Sequence, residues 1–379
     1  MAVYLNTNKN LENYKELYNE EYFVDKSKII SLINKKINTK SKYLCITRPR
    51  RFGKSSIANM LGAYYSKAVD SKDIFDNLDV SNCESYKENL NKYNVITISF
   101  TDVNNNCKNC DEYIDRIIQL LIQDLKEVFP NIKIKPNYAI WDILNELNEK
   151  FIFIFDEWDY IFNRNLYLEE QDKFLEFLMK LLKDKSYVAL CYMTGILPIK
   201  KYSTGSALNM FDEYTFLKDR IFDEYFGFTS KEVISLCEKN DEIEFSELEN
   251  WYNGYLTIKG KKIYNPRSVV KALQNKHCES YWTNTGAMDE VAEYLKYNTM
   301  EIREDVIEMV SGGEIDIIIN EEFRAGQEAP KTKKEIYSAM IILGFLSYHD
   351  GYLKIPNKEL MLEFEKALAD ESFGYKKER

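Results

Sequence analysis

Residues 47–55 read Thr-Arg-Pro-Arg-Arg-Phe-Gly-Lys-Ser. An apolar run at 43–46 precedes them, and apolar residues at helical spacing follow them from 57 to 64. A strand, a tight loop ending in Gly-Lys-Ser and a helix are typical of a phosphate-binding loop. In such a loop backbone N–H groups face the anion, Lys54 supplies a cation and Ser55 offers a hydroxyl to Mg²⁺. The residues expected to surround the phosphates are Arg48, Pro49, Arg50, Arg51, Phe52, Gly53, Lys54, Ser55 and Ser56.

One position departs from the usual pattern, G-x-x-x-x-G-K-[ST]. Arg48 stands where the first glycine is expected. Glycine at that position permits backbone angles that other residues resist. Considered alone, the departure weakens the motif.

A second motif supplies two acids. Residues 151–155 are apolar, and Asp156 and Glu157 follow them directly. Such a run predicts a buried strand whose carboxyl end lies where ligands bind in open α/β folds. Asp156 is then expected to hold Mg²⁺ opposite Ser55, and Glu157 to orient or deprotonate the water that attacks the γ-phosphate. The alternative is a strand that merely stops at a polar turn, but the order of the two motifs favours a nucleotide site.

Further groups for the phosphates are less distinct. Thr194 ends the next strand-like run, where its side chain would reach the γ-phosphate or the attacking water; an ordinary strand-end threonine is the alternative. Phosphoryl transfer also favours additional cations. Arg51 and Arg48 are the nearest candidates, and a solvated rim or a partner-binding patch explains these arginines equally well.

The pattern of apolar and polar residues along the chain predicts its architecture. The first 229 residues alternate apolar runs with amphipathic helical segments, which indicates an α/β domain with a mostly parallel sheet. With the motif at 47–55, the expected fold is that of a P-loop NTPase. The predicted strands are 42–47, 95–100, 151–155 and 188–193. Later segments become helical and acidic, and from 301 they mix helices with short strands at 315–319 and 352–355. We therefore expect a P-loop domain at 1–229, a helical module at 230–300 and a winged-helix-like module at 301–379.

Composition narrows the class of protein. The 379 residues carry a formal net charge of −10, which argues against general binding to nucleic acid or to anionic membranes. The longest nearly uncharged apolar run, 188–199, is too short to span a bilayer. The N-terminus lacks the basic and apolar blocks of a signal peptide, so a cytoplasmic location is the default expectation.

Cysteine and histidine usage exclude two kinds of site. Seven cysteines, an odd number, suit reduced thiols better than a disulfide framework. Two histidines disfavour a histidine-rich zinc centre. Cys107 and Cys110 form one C-x-x-C pair without a second, so chance is favoured over half a zinc site or a redox pair.

Motifs along nearly the whole chain resemble those of a known family. Residues 22–27 read Tyr-Phe-Val-Asp-Lys-Ser and residues 48–55 read Arg-Pro-Arg-Arg-Phe-Gly-Lys-Ser, where typical members have Tyr-Val-Asp-Lys-Thr and Arg-Pro-Arg-Arg-Phe-Gly-Lys. The chain is thus similar to the AAA-ATPase-like family of prokaryotic P-loop proteins, in which the glycine-free start at Arg48 is the usual form. Further matches lie at 99–103, 155–159, 194–195, 226–229, 251–255, 264–266, 281–285 and 353–359.

The resemblance implies an ATPase core in which the sensor strand lies between the P-loop strand and the Asp-Glu strand. It also implies helical and winged-helix-like additions. Relatives commonly carry a PD-(D/E)XK nuclease domain after a segment like 356–359. No acidic-x-lysine signature in a strand context is found in this sequence, which leaves open whether a nuclease normally follows.

Together these features predict an Mg²⁺-dependent ATPase, with ATP and Mg²⁺ as cofactors, that couples ATP binding and hydrolysis to conformational change in the appended modules. Two alternatives stay open: a nucleotide-gated regulatory or scaffold protein with negligible turnover, and the regulatory half of a DNA-processing nuclease system. DNA, a nuclease or a second copy of the chain are open as partners, and no membrane is expected. Catalytic roles are expected for Glu157, Lys54, Thr194 and Arg51, and metal ligation for Ser55 and Asp156.

Overall fold

Apolar runs form adjacent strands of one sheet in the computed structural model, which describes residues 2–103, 106–199, 208–239, 242–282, 299–319, 330 and 332–369. Among these residues the sheet order is β2-β3-β4-β1-β5. The pairs β2–β3, β3–β4 and β1–β4 are parallel, which confirms an α/β fold with a mostly parallel sheet. The strands are β1 (Tyr43–Thr47), β2 (Asn94–Ser99), β3 (Phe151–Asp156), β4 (Val188–Gly195) and β5 (Asp212–Tyr214).

The strand order brings polar strand ends together. β4 lies between β3 and β1, as the family resemblance implies. Ile46 lies opposite Thr194 in the parallel register, and Phe155 lies opposite Met193. Because parallel strands present their carboxyl ends at one edge of a sheet, the ends of β1, β3 and β4 share an edge.

Helices in the same part of the chain bury apolar side chains. The longest of them, Cys110–Val128, begins at Asn109, whose side chain accepts the Glu112 N–H at 2.9 Å. Apolar residues that recur every four positions in it are buried from Tyr113 to Leu125. The α-helices are α1 (Lys9–Tyr18), α2 (Ile29–Asn34), α3 (Lys54–Tyr65), α4 (Lys72–Phe75), α5 (Tyr86–Asn89), α6 (Cys110–Val128), α7 (Ile140–Glu146), α8 (Tyr160–Asn163) and α9 (Gln171–Leu182).

The chain divides into two units. The first consists of Met1–Thr47 and Lys54–Glu213, and the second of Arg48–Gly53 and Tyr214–Arg379. The loop between β1 and α3 therefore groups with the C-terminal part of the chain, although both of its neighbours in sequence belong to the first unit.

The second unit contains short strands and helices. In its described residues two antiparallel sheets have the orders β6-β8-β7 and β10-β11-β9. Its elements are β6 (Phe228–Thr229), α10 (Ser230–Cys237), α11 (Phe245–Tyr252), β7 (Tyr255–Leu256), β8 (Lys262–Tyr264), α12 (Pro266–Asn275), α13 (Thr299–Val310), β9 (Ile315–Asp316), α14 (Lys333–Leu343), β10 (Ser347–His349), β11 (Tyr352–Lys354) and α15 (Lys358–Ala369).

A buried carboxylate fastens the last of these helices. Glu359 is 1% exposed and accepts the backbone N–H groups of Tyr281 and Trp282 at 2.7 and 2.6 Å and the Ser268 hydroxyl at 2.9 Å. Burial raises the pKa of Glu359, and these hydrogen bonds oppose the rise. The segment that ends at Trp282 is thereby joined to α15.

The predicted three-part division stays a prediction, as does the winged-helix interpretation of 301–379. The strands expected at 315–319 and 352–355 are observed as β9 and β11. Parts of both predicted modules, 283–298 and 370–379, lie outside the described residues. In the described ranges no helix is both long and apolar enough to cross a membrane.

Candidate nucleotide site

Lys54 opens helix α3 and lies near two carboxylates. Lys54 is 7% exposed, so its positive charge lies at the start of the helix and is largely shielded from water. The Lys54 charge lowers the pKa of both Asp156 and Asp159, in opposition to the burial that raises both. Helix N-termini attract anions, so this cation and the start of α3 favour a phosphate in the same place.

Ser55 and Asp156 are in direct contact. The Ser55 hydroxyl hydrogen-bonds to the Asp156 carboxylate, which also accepts the Glu157 N–H at 3.1 Å. Burial raises the pKa of Asp156, and the Ser55 hydrogen bond and the Lys54 charge counteract it. One hydroxyl beside one carboxylate is the donor set that Mg²⁺ takes when it keeps several waters, so these residues fit that ion. In the described residues no group of three or more His, Cys, Asp or Glu side chains is placed to hold a metal.

Glu157 has an unusual backbone. Its φ is +50°, in the left-handed region that glutamate seldom adopts, and its carbonyl accepts the Tyr160 N–H at 3.0 Å. Such conformations are kept where the surroundings determine them, frequently at functional sites. The residue is half-buried at the carboxyl end of β3. Its role toward the attacking water stays a prediction.

Thr194 is integrated in the sheet. It is fully buried, and its hydroxyl donates to the Ile46 carbonyl at 3.0 Å, across the β1–β4 pair. Its own carbonyl accepts the Trp158 N–H at 3.2 Å. These bonds give Thr194 a structural role between β1, β4 and the turn after β3, and the expected contact with phosphate or water stays a prediction.

Asp159 is a residue at this edge to which the sequence analysis assigned no role. It is 1% exposed, and its Oδ2 accepts the N–H groups of Ile196 and Leu197 at 2.9 and 2.7 Å and the Asn163 amide at 2.7 Å. Burial raises its pKa, against those backbone donors. Asp159 therefore fixes the chain that leaves β4, directly after Gly195. The acid was visible in the motif at 155–159, but its backbone partners lie nearly forty residues later.

Arg48, in the second unit, is buried and ion-paired. It is 2% exposed; one terminal nitrogen pairs with the Asp219 carboxylate, and the other donates to the Tyr214 carbonyl at 2.8 Å. Its guanidinium lies over the Phe226 ring, 4.9 Å from the centroid. The contact between Arg48 and phosphate stays a prediction, and the Arg48 guanidinium is bound by protein groups.

Two apolar residues of the same loop are also packed within the second unit. Phe52 is fully buried, with edge-on ring contacts to Phe216 and Tyr255 at 5.8 and 5.1 Å between centroids. Its carbonyl accepts the Gly227 N–H at 3.1 Å. Pro49 is buried as well. Neither side chain has polar chemistry to offer a phosphate.

The backbone of loop 48–53, which is described throughout, has its positive φ angles at Arg51 (+72°) and Gly53 (+85°). Arg48 therefore does not occupy the left-handed region, and an arginine there causes no backbone strain. Arg51 is exposed, while Arg50, Gly53 and, in the first unit, Ser56 are half-buried. The missing glycine is explained by a loop that places its positive φ elsewhere.

All seven cysteines lie among the described residues and are free thiols. Burial raises the pKa of Cys110 to about 11, so this thiol is not an activated nucleophile. Cys107 and Cys110 thus form no disulfide.

Comparison with known proteins gives a family match. A family model described as predicted AAA-ATPase matches residues 10–204. An uncharacterized protein in the vnfD 5′ region of Azotobacter chroococcum mcd 1 is 24% identical over 277 residues, which is 70% of this chain. The chain spans about half of the length of that relative, 51%.

Two solved structures resemble the chain at 13% sequence identity. The Walker-type ATPase PABY2304 of Pyrococcus abyssi has a TM-score of 0.46 and covers 92% of this chain and 99% of its own. The ORC2 protein of Aeropyrum pernix, in ADPNP–ADP complexes, has a TM-score of 0.37 with coverages of 94% and 98%. At these TM-scores the likeness supports no residue-level correspondence.

Proposed function

Because the chain belongs to the predicted AAA-ATPase family, we propose that it is an Mg²⁺-dependent ATPase. The observation that carries the proposal is the meeting of Lys54, Ser55 and Asp156 at the start of α3 and the end of β3. A cation, a hydroxyl and a carboxylate are the three groups that a bound Mg–ATP needs at its β- and γ-phosphates.

The roles follow from the chemistry of each group. Lys54 neutralises charge on the β- and γ-phosphates, and the N–H groups of the first turn of α3 bind phosphate oxygens. Ser55 and Asp156 hold Mg²⁺, which when bound withdraws charge from the phosphate oxygens. We propose that the backbone of residues 48–53 and Ser56 completes the loop around the phosphates, with the exposed Arg51 side chain as the additional cation.

We propose that Glu157 is the general base that orients and deprotonates the attacking water. The water oxygen forms a bond to the γ-phosphorus as the bond to the β–γ bridging oxygen breaks, and the water proton passes to the Glu157 carboxylate. ADP and inorganic phosphate leave. Thr194 supports this arrangement through the β1–β4 hydrogen bond, and contact of its hydroxyl with the water remains part of the proposal.

The proposal extends to location and partners. ATP is the ligand that family membership supports. We propose that the free energy of ATP binding and hydrolysis changes the conformation of the second unit, in the cytoplasm. The regulatory half of a DNA-processing nuclease system is the alternative.

Glu157→Gln tests the catalytic role. The amide has the same shape but cannot take a proton, so ATP affinity should stay within about threefold while turnover falls by about 100-fold or more, as expected for the loss of a general base. Isothermal calorimetry gives the affinity, and phosphate release with Mg²⁺ gives the turnover.

Glu176→Gln is the matched control, because Glu176 is an exposed helix residue paired with Lys180 at 2.7 Å. It should leave both quantities unchanged. Equal turnover in the wild type and in Glu157→Gln would remove Glu157 from the mechanism. Tight ATP binding with negligible turnover in the wild type would favour the nucleotide-gated regulator instead.

A further inference from the structure

Arg48 makes a network with the segment that follows β5. Asp219 is 2% exposed. Its Oδ2 accepts a hydrogen bond from the Arg48 guanidinium. Its Oδ1 accepts the N–H groups of Ile221 and Phe222 at 2.7 and 2.9 Å. The two backbone N–H groups thus fix the orientation of the carboxylate that pairs with Arg48. Phe222 in turn packs edge-on against Tyr214, with 4.8 Å between ring centroids. The partners of Arg48 are therefore themselves held in place.

Arginine suits this environment better than lysine does. The planar guanidinium reaches the Asp219 carboxylate and the Tyr214 carbonyl together, and its face lies on Phe226. A lysine ammonium has three donors, but it has neither a rigid planar fork nor a flat face to lie on the Phe226 ring. The arginine at the position of the usual glycine therefore makes contacts that only its side chain can make.

The same unit holds the loop at two more points. Phe52 packs between Phe216 and Tyr255, and its carbonyl binds the Gly227 N–H. A Cβ added to Gly344 would lie 2.6 Å from Pro49 Cβ, so the two residues are in close contact. Three of the six loop residues are thus fixed by the part of the chain from 214 to 344, and Gly53 leads directly into Lys54.

We propose that Arg48 is a positioning residue: through its ion pair with Asp219 it sets the conformation of loop 48–53, and with it the affinity of the adjacent Lys54 for ATP. The inference rests on the proposed function, because it assumes that ATP binds at Lys54. It assigns Asp219, which is 164 residues or more from the phosphate-binding motif in sequence, to the control of nucleotide affinity.

A double-mutant cycle tests this role. Asp219→Asn keeps an oxygen for the N–H groups of Ile221 and Phe222 but turns the other position from an acceptor into a donor, which faces Arg48. Arg48→Met removes the charge and keeps an apolar stem. If Arg48 acts through Asp219, each single variant weakens ATP binding by about tenfold and the double variant by the same factor, because both break one interaction.

Asp223→Asn is the matched control, since Asp223 is a neighbouring buried acid whose partner is Lys259 at 3.5 Å. Its ATP affinity should equal that of the wild type. Dissociation constants come from calorimetry with ATP and Mg²⁺ on proteins whose thermal unfolding shows a folded state at the working temperature. A residue that only stabilised the fold would shift the unfolding temperature and leave the dissociation constant of the folded protein unchanged.

Four results overturn the proposal. If the two single losses of ATP affinity multiply, to about 100-fold in the double variant, Arg48 contacts the nucleotide independently of Asp219. Unchanged affinity in the single variants means that the pair does not set the loop, and an equal loss in Asp223→Asn means general loosening of the segment. A wild type that binds no ATP refutes the proposed function, and the inference with it.

Phe226→Leu covers the case in which Arg48→Met does not fold. It removes the ring face under the guanidinium and leaves both charges of the ion pair in place. A smaller loss of ATP affinity, about threefold, supports the positioning role. An affinity equal to that of the wild type contradicts it.

Discussion

Asp159 shows how one side chain organises the residues around it. Its carboxylate holds the two N–H groups that follow β4, and the Trp158 N–H beside it binds the Thr194 carbonyl. The turn after β3 and the end of β4 are therefore tied at adjacent points. A carboxylate in this position serves geometry, while Asp156, three residues earlier, is left to face Ser55.

Asp159→Ala should destabilise the protein by about 3 kcal/mol, because it removes a charged acceptor and leaves buried N–H groups at Ile196 and Leu197 without it. The free energy of unfolding from urea titration measures this loss. Asn163→Ala, which removes one donor to the same carboxylate, is the control and should lose about 1 kcal/mol. A loss below about 0.5 kcal/mol in Asp159→Ala would show that the carboxylate is not a structural anchor.

The proximity of two residues was predictable where both lie in recognisable motifs. Lys54, Ser55 and Asp156 were expected together from two short patterns, and the structure places them together. The ion pair of Arg48 was not expected, because Asp219 lies in no recognisable motif and pairs with the loop only after folding. Spacing along the chain gives no information about such contacts.

Among the elements, helix α14 ends in a way that depends on a neighbour. Gly344 follows it with a φ of +89°, and the space where a Cβ would lie is occupied by Pro49. Gly351, in the hairpin between β10 and β11, has a similar φ of +93°, but nothing lies within 4 Å of its missing Cβ. The two glycines share a backbone requirement and differ in packing.

Gly344→Ala and Gly351→Ala separate these two effects. Gly351→Ala should lose about 1 kcal/mol of unfolding free energy for the left-handed backbone alone. Gly344→Ala should lose about 3 kcal/mol, because the methyl group also collides with Pro49. Urea titration of both variants provides the measurement. Equal losses would mean that Pro49 moves aside at little cost, and that the loop is not packed as described.

Long elements were predicted better than short ones. The strands expected at 95–100 and 151–155 are observed at 94–99 and 151–156, because a strand buried on both faces needs an unbroken apolar run. The two- and three-residue strands of the second unit, such as β6 and β7, carry too few residues for a periodic pattern. Their pairing depends on tertiary contacts.

On the scale of the molecule, the boundary between the two units falls within residues 48–55. The first six of these residues group with the second unit, and Lys54 and the residues after it group with the first. Composition and motifs alone predicted a P-loop domain that is continuous in sequence. The proposed effect of Arg48 and Asp219 on ATP binding passes through the covalent link between Gly53 and Lys54.

The most direct test of the nucleotide site is calorimetric titration of ATP with Mg²⁺ into the wild type, Lys54→Ala and Lys180→Ala. Lys54→Ala removes the buried cation that we propose faces the phosphates, whereas Lys180 is a surface lysine paired with Glu176. The wild type and Lys180→Ala should bind one ATP per chain with equal affinity, and Lys54→Ala should bind at least about 100-fold more weakly. Equal affinity in Lys54→Ala and the wild type would contradict a nucleotide site at Lys54.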